Sequence, residues 1–223
     1  MTGNLVALLH LSDSLFPIGS FSHSDGLEAA TSQQHIGTPS DLEGWMTAML
    51  SGALRRLEAP AVARAWQAFD TARFDRLSDI DHDLHALRPS SASRDASRAM
   101  GARLLTTWQR VRPHDGVQRL LSERTRFGLP VAFGIVSASS SIAARGAVEG
   151  FVYTRLAAVV SAAMRLMPIG QHEGHRLLAR VLNGVPAAAE AALADTAPLT
   201  SFAPALDLAA MSQQYGHSRL FRS

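Results

Sequence analysis

Apolar residues recur at helical spacing along most of this 223-residue chain, whereas alternating strand patterns are hard to find. The clearest helix begins near Thr38, which is a suitable N-cap, with Pro39 at the first helical position and Asp41 at the third. One apolar stripe then follows: Leu42, Trp45, Met46, Met49, Leu50, Ala53, Leu54 and Leu57. The spacing predicts a helix over this stripe and a second helix that begins at Pro60.

Similar stripes predict further helices in the rest of the chain. They cover residues 100–111, the uncharged stretch that opens at Pro130, and residues 151–167, 177–182 and 187–194. Residues 78–97 are polar and poor in bulky apolar side chains, with a loop or helix break over 88–91. From about residue 198 we expect a partly structured and partly flexible tail. The sequence therefore predicts one all-α globular domain over residues 1–223, with about eight to ten packed helices.

The uncharged stretch from 127 to 144 raises the question of a membrane span. Its length reaches the threshold for a spanning helix. However, Gly128, Pro130, Gly134 and several serines make it only weakly apolar. We interpret it as a buried core helix, and we expect no membrane partner.

The composition excludes several kinds of chemistry. There is no cysteine, which excludes a disulfide, a thiolate nucleophile and a cysteine-based metal site. All 21 basic residues are arginine, and without lysine there is neither a P-loop of the Walker type nor a Schiff-base lysine. The first residues show no basic region and no cleavage site of a signal peptide. The absence of cysteine agrees with a reducing compartment, and we expect a cytoplasmic protein.

The charge is uneven although the net charge is only +2. Residues 94–126 hold eight arginines and three carboxylates, downstream of an acidic run over residues 70–83. Such asymmetry is compatible with an arginine-rich nucleic-acid-binding protein. Few aromatic residues interrupt the basic stretch, however, so bases would find little to stack on. Solvated helix faces or a protein-binding surface are favoured instead.

Two histidine pairs are compatible with direct nickel binding. His82 and His85 stand among aspartates, and His172 and His175 share one helical face if that segment is helical. Neither pair fits the H-E-x-x-H pattern of zinc enzymes. We favour exposed polar helix faces for both pairs, and we assign no catalytic, cofactor or metal residue.

The chain ends in Leu220 and Phe221 between Arg219 and Arg222. Aromatic and arginine side chains dominate binding hot spots, so this ending suits docking on a partner. The alternative is that the tail folds back onto the core of its own chain.

Several stretches together resemble the urease accessory protein UreF family. Residues 9–28 read LHLSDSLFPIGSFSHSDGLE, and the family opening has an Asp, Pro-x-Gly-x-Phe, a His or Tyr followed by Ser, and Gly-Leu-Glu. Residues 130–138, residues 165–171 with Gly174, and residues 202–207 leading to 218–223 also agree with the family. The tail departs from the family form Met-x-His-Glu-x-x-Tyr-Ser-Arg-Leu-Phe. Gln213 and Gln214 stand at its His-Glu positions and His217 at its Tyr position.

The resemblance implies an all-helical homodimer that takes part in urease activation without being an enzyme. UreF-like proteins bridge an accessory protein of the UreD type, also called UreH, and the GTPase UreG. The resulting complex delivers nickel to apo-urease. In this family the C-terminal tail and the N-terminal region contact the UreD-type partner.

The resemblance also indicates candidate partner-binding residues. Those of the tail are Arg219, Leu220, Phe221 and Arg222. Those of a shaped N-terminal element at or near the same interface are Phe16, Pro17, Gly19, Phe21, His23 and Glu28. The alternative for the N-terminal residues is a helix–turn–helix packing motif without contact to a partner.

Overall fold

The computed structural model of this protein describes residues 4–215 and 220–221, with Gln214 described by its backbone alone. The α-helices are α1 (Leu5–Leu11), α2 (Leu27–Ser32), α3 (Pro39–Met49), α4 (Ala59–Asp70), α5 (Phe74–Ala86), α6 (Ser91–Val111), α7 (Asp115–Ser122), α8 (Leu129–Ser139), α9 (Ala144–Leu166), α10 (Gln171–Leu182), α11 (Val185–Ala194) and α12 (Pro204–Ser212). A π-helical segment (Leu50–Glu58) joins α3 to α4, and short 3₁₀ turns lie at Ser20–Ser22 and Gln213–Tyr215. The all-α prediction is confirmed, and ten helices of the described chain have eight residues or more.

Helix α3 begins as its sequence predicts. The Thr38 hydroxyl accepts a hydrogen bond from the Asp41 N–H at 3.2 Å, and the Asp41 carboxylate accepts one from the Thr38 N–H at 2.9 Å. This reciprocal pair is a capping box, which satisfies backbone donors that the first turn leaves without partners.

The expected break before Pro60 is absent, because the helical backbone runs without interruption from α3 through the π-helical segment into α4. Pro60 cannot donate an N–H, and in an α-helix its ring clashes with the carbonyl four residues earlier. The turn before it is wider, since the Ala59 N–H bonds the Leu54 carbonyl. The Arg56 carbonyl accepts a bond from the Thr200 N–H at 3.4 Å. The proline therefore sits inside a helix whose hydrogen bonding has been rearranged around it.

Helix α8 lies at the centre of the fold, against α4, α6 and α9. Its residues 129–137 are all buried, which confirms the prediction of a core helix in the uncharged stretch. A Cβ on Gly134 would lie 2.6 Å from the Val62 carbonyl oxygen of α4. Only glycine therefore allows the backbones of α4 and α8 to approach this closely.

Two other helical stretches are long and apolar enough to cross a membrane by length and composition. They are Ala144–Leu166 and Gln171–Ala194. In the first, 56% of the apolar window is buried inside the domain. Core helices of globular proteins pass the same test, so these stretches are weak indications of a span.

Trp108 anchors the N-terminal segment to α6. Its side chain is fully buried, and its indole N–H donates to the Ser140 hydroxyl at 2.8 Å. The rings of His10 and Phe16 each lie 5.5 Å from the indole. Tilted aromatic contacts at this distance are favourable, so they hold α1 and the following loop against the helical core.

The C-terminal tail also packs on the domain. Helix α12 lies against α2 and α6, and it buries Leu206 and Ala209. The residues before it are irregular, as the sequence predicts for a partly structured tail.

Candidate functional site

Glu28 on α2 joins the N-terminal segment to the tail. Its side chain is 8% exposed. One carboxylate oxygen accepts the Leu220 N–H at 2.6 Å, and the other accepts the Phe221 N–H at 3.2 Å together with the side-chain amide of Gln213. The side-chain oxygen of Gln213 (Oε1) in turn accepts a hydrogen bond from the Ala29 N–H at 3.0 Å. We call this arrangement of Glu28, Gln213, Leu220 and Phe221 the clasp.

Arg165 at the end of α9 completes the clasp from the other side. Its guanidinium carbon lies 4.3 Å from the centre of the Phe221 ring, a cation–π contact. The same guanidinium donates to the Phe21 carbonyl at 2.9 Å. One arginine therefore contacts both the N-terminal segment and the tail.

Gly26 lets the tail helix approach α2. It has a φ of +84°, in the region that glycine adopts without strain. A Cβ here would lie 2.7 Å from the Ala210 backbone nitrogen of α12. Any side chain at this position would therefore push α12 away from the N-terminal segment.

A buried group of four charges connects the N-terminal segment to the core. Arg155 of α9 pairs with Asp25 at 2.8 Å and with Glu58 at 3.2 Å, and Arg88 pairs with Glu58 at 2.6 Å. We call Asp25, Glu58, Arg88 and Arg155 the charge cluster. Burial alone would raise the pKa of Asp25, but the Arg155 guanidinium outweighs it and holds that pKa below the usual value. Two arginines and two carboxylates compensate one another where hydration is largely lost.

The surface around the clasp exposes apolar side chains. Leu220 is 71% exposed although the adjacent Phe221 is 2% exposed. Leu208, Met211 and Tyr215 are exposed at spacings of three and four residues along α12 and the turn that follows it, which places them on one side of the tail. Phe21 is 69% exposed.

The N-terminal element also borders an open groove of about 750 Å³, whose walls come from α1, the loop that follows it and α9. Leu8, Phe21 and Tyr153 are among its lining residues.

The structure separates the predicted N-terminal residues into internal and external groups. Phe16 and Glu28 are buried, His23 is half-buried, and Pro17 and Phe21 are exposed. Gly19 has a φ of +80° and precedes the 3₁₀ turn Ser20–Ser22, in which the Phe21 side chain is exposed. In the tail, Phe221 is buried and Leu220 exposed. Arg219 and Arg222, together with His217, lie outside the described residues.

Sequence reasoning missed several residues of the site. The missed residues are Asp25, Glu58, Arg88, Arg155, Arg165 and Gln213. Arg165 stands in a stretch that carries the family resemblance, and Gln213 stands where the tail departs from the family form, so both positions carried a signal. For Glu58 and Arg155 the sequence offers no such signal, because both look like ordinary charged positions on a helix.

The aspartate-rich helix α5 differs from the exposed polar face that its sequence suggested. Asp81 and His85 are buried, whereas His82 is exposed. An Asp81 oxygen accepts the Gly128 N–H at 2.6 Å, just before α8, and His85 Nε2 lies 3.4 Å from the other oxygen. His82 and His85 therefore do not converge. His172 and His175 are exposed, as the sequence suggested.

Among the described residues, no group of three or more His, Cys, Asp or Glu side chains is placed to hold a metal ion.

Part of the basic stretch is engaged in contacts within the domain. Arg94 donates to the Arg88 and Pro89 carbonyls, Arg103 donates to the Ile18 carbonyl at 3.1 Å, and Arg119 pairs with Glu123. These three arginines hold loops and helix ends, which is a structural use of their charge.

Comparison with known proteins finds similar proteins over nearly the whole chain. The family model UreF matches residues 36–182. The chain is 34% identical to a urease accessory protein UreF of Azoarcus sp. strain BH72, over 98% of this chain and 95% of the relative. It is 33% identical to the UreF of Cupriavidus taiwanensis over all of both chains, and 28% identical to that of Haemophilus influenzae over 99% and 96%. The chain therefore belongs to the UreF family of urease accessory proteins.

Proposed function

We propose that this chain is a non-enzymatic scaffold for urease activation in the cytoplasm. It bridges a UreD/UreH-type accessory protein and the UreG GTPase, so that GTP-dependent nickel insertion into apo-urease takes place in one complex. In this proposal the chain works as a homodimer, and nickel is cargo of the complex rather than a resident metal of this subunit.

The observation that carries the proposal is the surface of the clasp. Leu220, Phe21 and Tyr215 are each more than two-thirds exposed, although internal contacts hold the segments that bear them. Exposed aromatic and aliphatic side chains on a fixed backbone are typical of binding hot spots, because little conformational freedom is lost on binding. We assign the UreD-type partner to this surface, and with it Arg219 and Arg222 of the same segment.

The first test measures binding of the chain to its UreD-type partner. Deletion of residues 218–223 and the single change Leu220→Asp are each expected to weaken binding by at least about tenfold, the effect of losing one hot-spot residue. Leu193→Asp is the matched control, because Leu193 is an exposed leucine on α11, outside the clasp, and it should leave binding unchanged.

The two variants and the control separate the outcomes. Unchanged binding by both tail variants would remove the tail from the interface. If the intact chain, its UreD-type partner and UreG do not purify as one complex, bridging itself is wrong.

A further inference from the structure

The carboxylate of Glu28 is occupied by its own chain. Among the residues that the structure describes, the three groups that donate to it belong to the tail: two consecutive backbone N–H groups and the Gln213 amide. Among the described residues no arginine forms an ion pair with it. A partner that approached this surface would therefore meet the tail rather than the Glu28 side chain.

Two consecutive N–H groups pointing at one carboxylate fix the backbone of the segment. Successive backbone amides can form a small concave site for an anion, and here the anion belongs to α2. Once the Leu220 and Phe221 N–H groups face Glu28, the Phe221 ring is directed inward beneath Arg165 and Leu220 remains outside. A shift of the segment by one residue would remove the Phe221 ring from its place beneath Arg165.

We infer that Glu28 is a positioning residue for partner binding: it holds the C-terminal segment so that Leu220 faces outward, and it does not contact the partner. This inference rests on the proposed function, since the UreD-type partner is the molecule that would bind the tail in this position. Gln213 assists, because its amide bridges the Ala29 N–H and the carboxylate of Glu28.

The negative charge is essential to this role. An ionised carboxylate has two acceptor oxygens, whereas glutamine has one and turns an NH₂ donor towards the incoming N–H groups. Hydrogen bonds to a charged acceptor are also about twice as strong as neutral ones. Glu28→Gln keeps the size of the side chain and should release the segment.

Hydrogen exchange of the full-length chain, without any partner, tests the holding of the tail. In Glu28→Gln the amides of the peptide with Leu220 and Phe221 should exchange roughly tenfold faster or more, while α8 keeps its protection. Gln213→Leu removes one of three donors and should give a smaller increase. Glu43→Gln is the matched control, because Glu43 pairs with Arg180 between α3 and α10, and it should leave the tail unchanged.

Binding to the UreD-type partner then tests the positioning role. Glu28→Gln should weaken binding to about the same extent as it speeds tail exchange, and Gln213→Leu should follow in the same order. Unchanged tail exchange in both variants overturns the inference, because the Phe221 pocket would then hold the segment alone. Faster exchange with unchanged binding overturns it as well, since the partner would not depend on the held form.

Two further results distinguish a failure of the inference about Glu28 from a failure of the proposed function. If Glu28→Gln loses α8 protection too, Gln213→Leu decides the question in a less disturbed chain. If the unaltered chain does not bind the UreD-type partner, the proposed function is wrong, while the exchange data still decide whether Glu28 holds the tail.

Discussion

Two buried acid–base groups in this domain behave in opposite ways. In the charge cluster, Arg155 lies between Asp25 and Glu58, and its pKa is raised because the two carboxylates outweigh the effect of burial. In the second group, Asp81 and His85 on α5 are also buried. Burial lowers the pKa of His85 to about 4, with a further contribution from Arg88, and it raises the pKa of Asp81.

The difference lies in the base. Arginine keeps its proton under all ordinary conditions, so burial forces the chain to supply carboxylates around it. Histidine can give up its proton, so burial leaves a neutral ring instead. Neither ring nitrogen of His85 has a hydrogen-bond partner in the described structure. A chain that uses only arginine as its strong base thus fixes charges firmly in one place, while its buried histidine leaves a site sensitive to acid.

The largest effect is expected from Arg155→Met, which removes the centre of the charge cluster. Asp25 then remains half-buried without its ion-pair partner, and Glu58 keeps only Arg88. Loss of one member of a buried ion pair costs about 3–5 kcal/mol, and urea unfolding measures it. Arg145→Met serves as control, because Arg145 forms an exposed pair with Glu149, and it should change the free energy of unfolding little. Equal effects of the two variants would contradict the comparison.

The second prediction concerns pH. In the unfolded chain His85 titrates near 6.5, and in the folded chain near 4. Between these values the unfolded chain binds more protons, so the free energy of unfolding falls as the pH is lowered. The shift corresponds to about 3 kcal/mol between pH 6.5 and 4. Asp81, whose pKa is raised, acts in the opposite direction at the acid end.

His85→Asn removes the titrating ring and leaves Asp81 in place. The difference in the free energy of unfolding between the two chains should therefore depend on pH over this window. A constant difference from pH 4 to 6.5 would show that the buried ring does not behave as described.

The smallest effect is expected from Arg88→Met, which touches both groups. The Glu58 carboxylate retains Arg155, so the loss should be about 1.5–3 kcal/mol, the range of one hydrogen bond to a charged group. The positive charge of Arg88 also lowers the pKa of His85, and the charges of Arg98 and Arg94 act in the same direction. In Arg88→Met the folded-state pKa of His85 should therefore rise towards 6.5. The acid-dependent loss should still begin near pH 6.5, but it should end at a higher pH and be smaller than in the unaltered chain. Unfolding curves at several pH values would show whether the two groups are coupled through Arg88.

Local rules were sufficient to predict much of the fold. The capping box of Thr38 and Asp41 needs only residues three apart, and the uncharged run that became α8 is buried as its composition indicates. Pro60 misled the prediction, because a proline normally marks the start of a helix. Here the π-helical segment accommodates it in the middle of a longer helix.

The buried polar groups depended on contacts that a sequence does not display. Asp81 and His85 read as part of a solvated face, and their burial follows from the approach of Gly128, whose Cβ would lie 2.8 Å from His85 Nε2. The clasp joins Glu28 to Gln213 across 185 positions of the chain. Resemblance to a family indicated that both ends matter, but only the folded chain shows that Glu28 accepts hydrogen bonds from the tail.

The packing around Trp108 has a spectroscopic consequence. The three tryptophans, Trp45, Trp66 and Trp108, all lie on core helices, and Trp108 contacts the N-terminal segment through His10 and Phe16. Tryptophan emission should therefore change when that segment undocks, and it should change little when Phe221 is released. Two events that involve the same face of the protein can thus be followed separately, one by emission and the other by exchange.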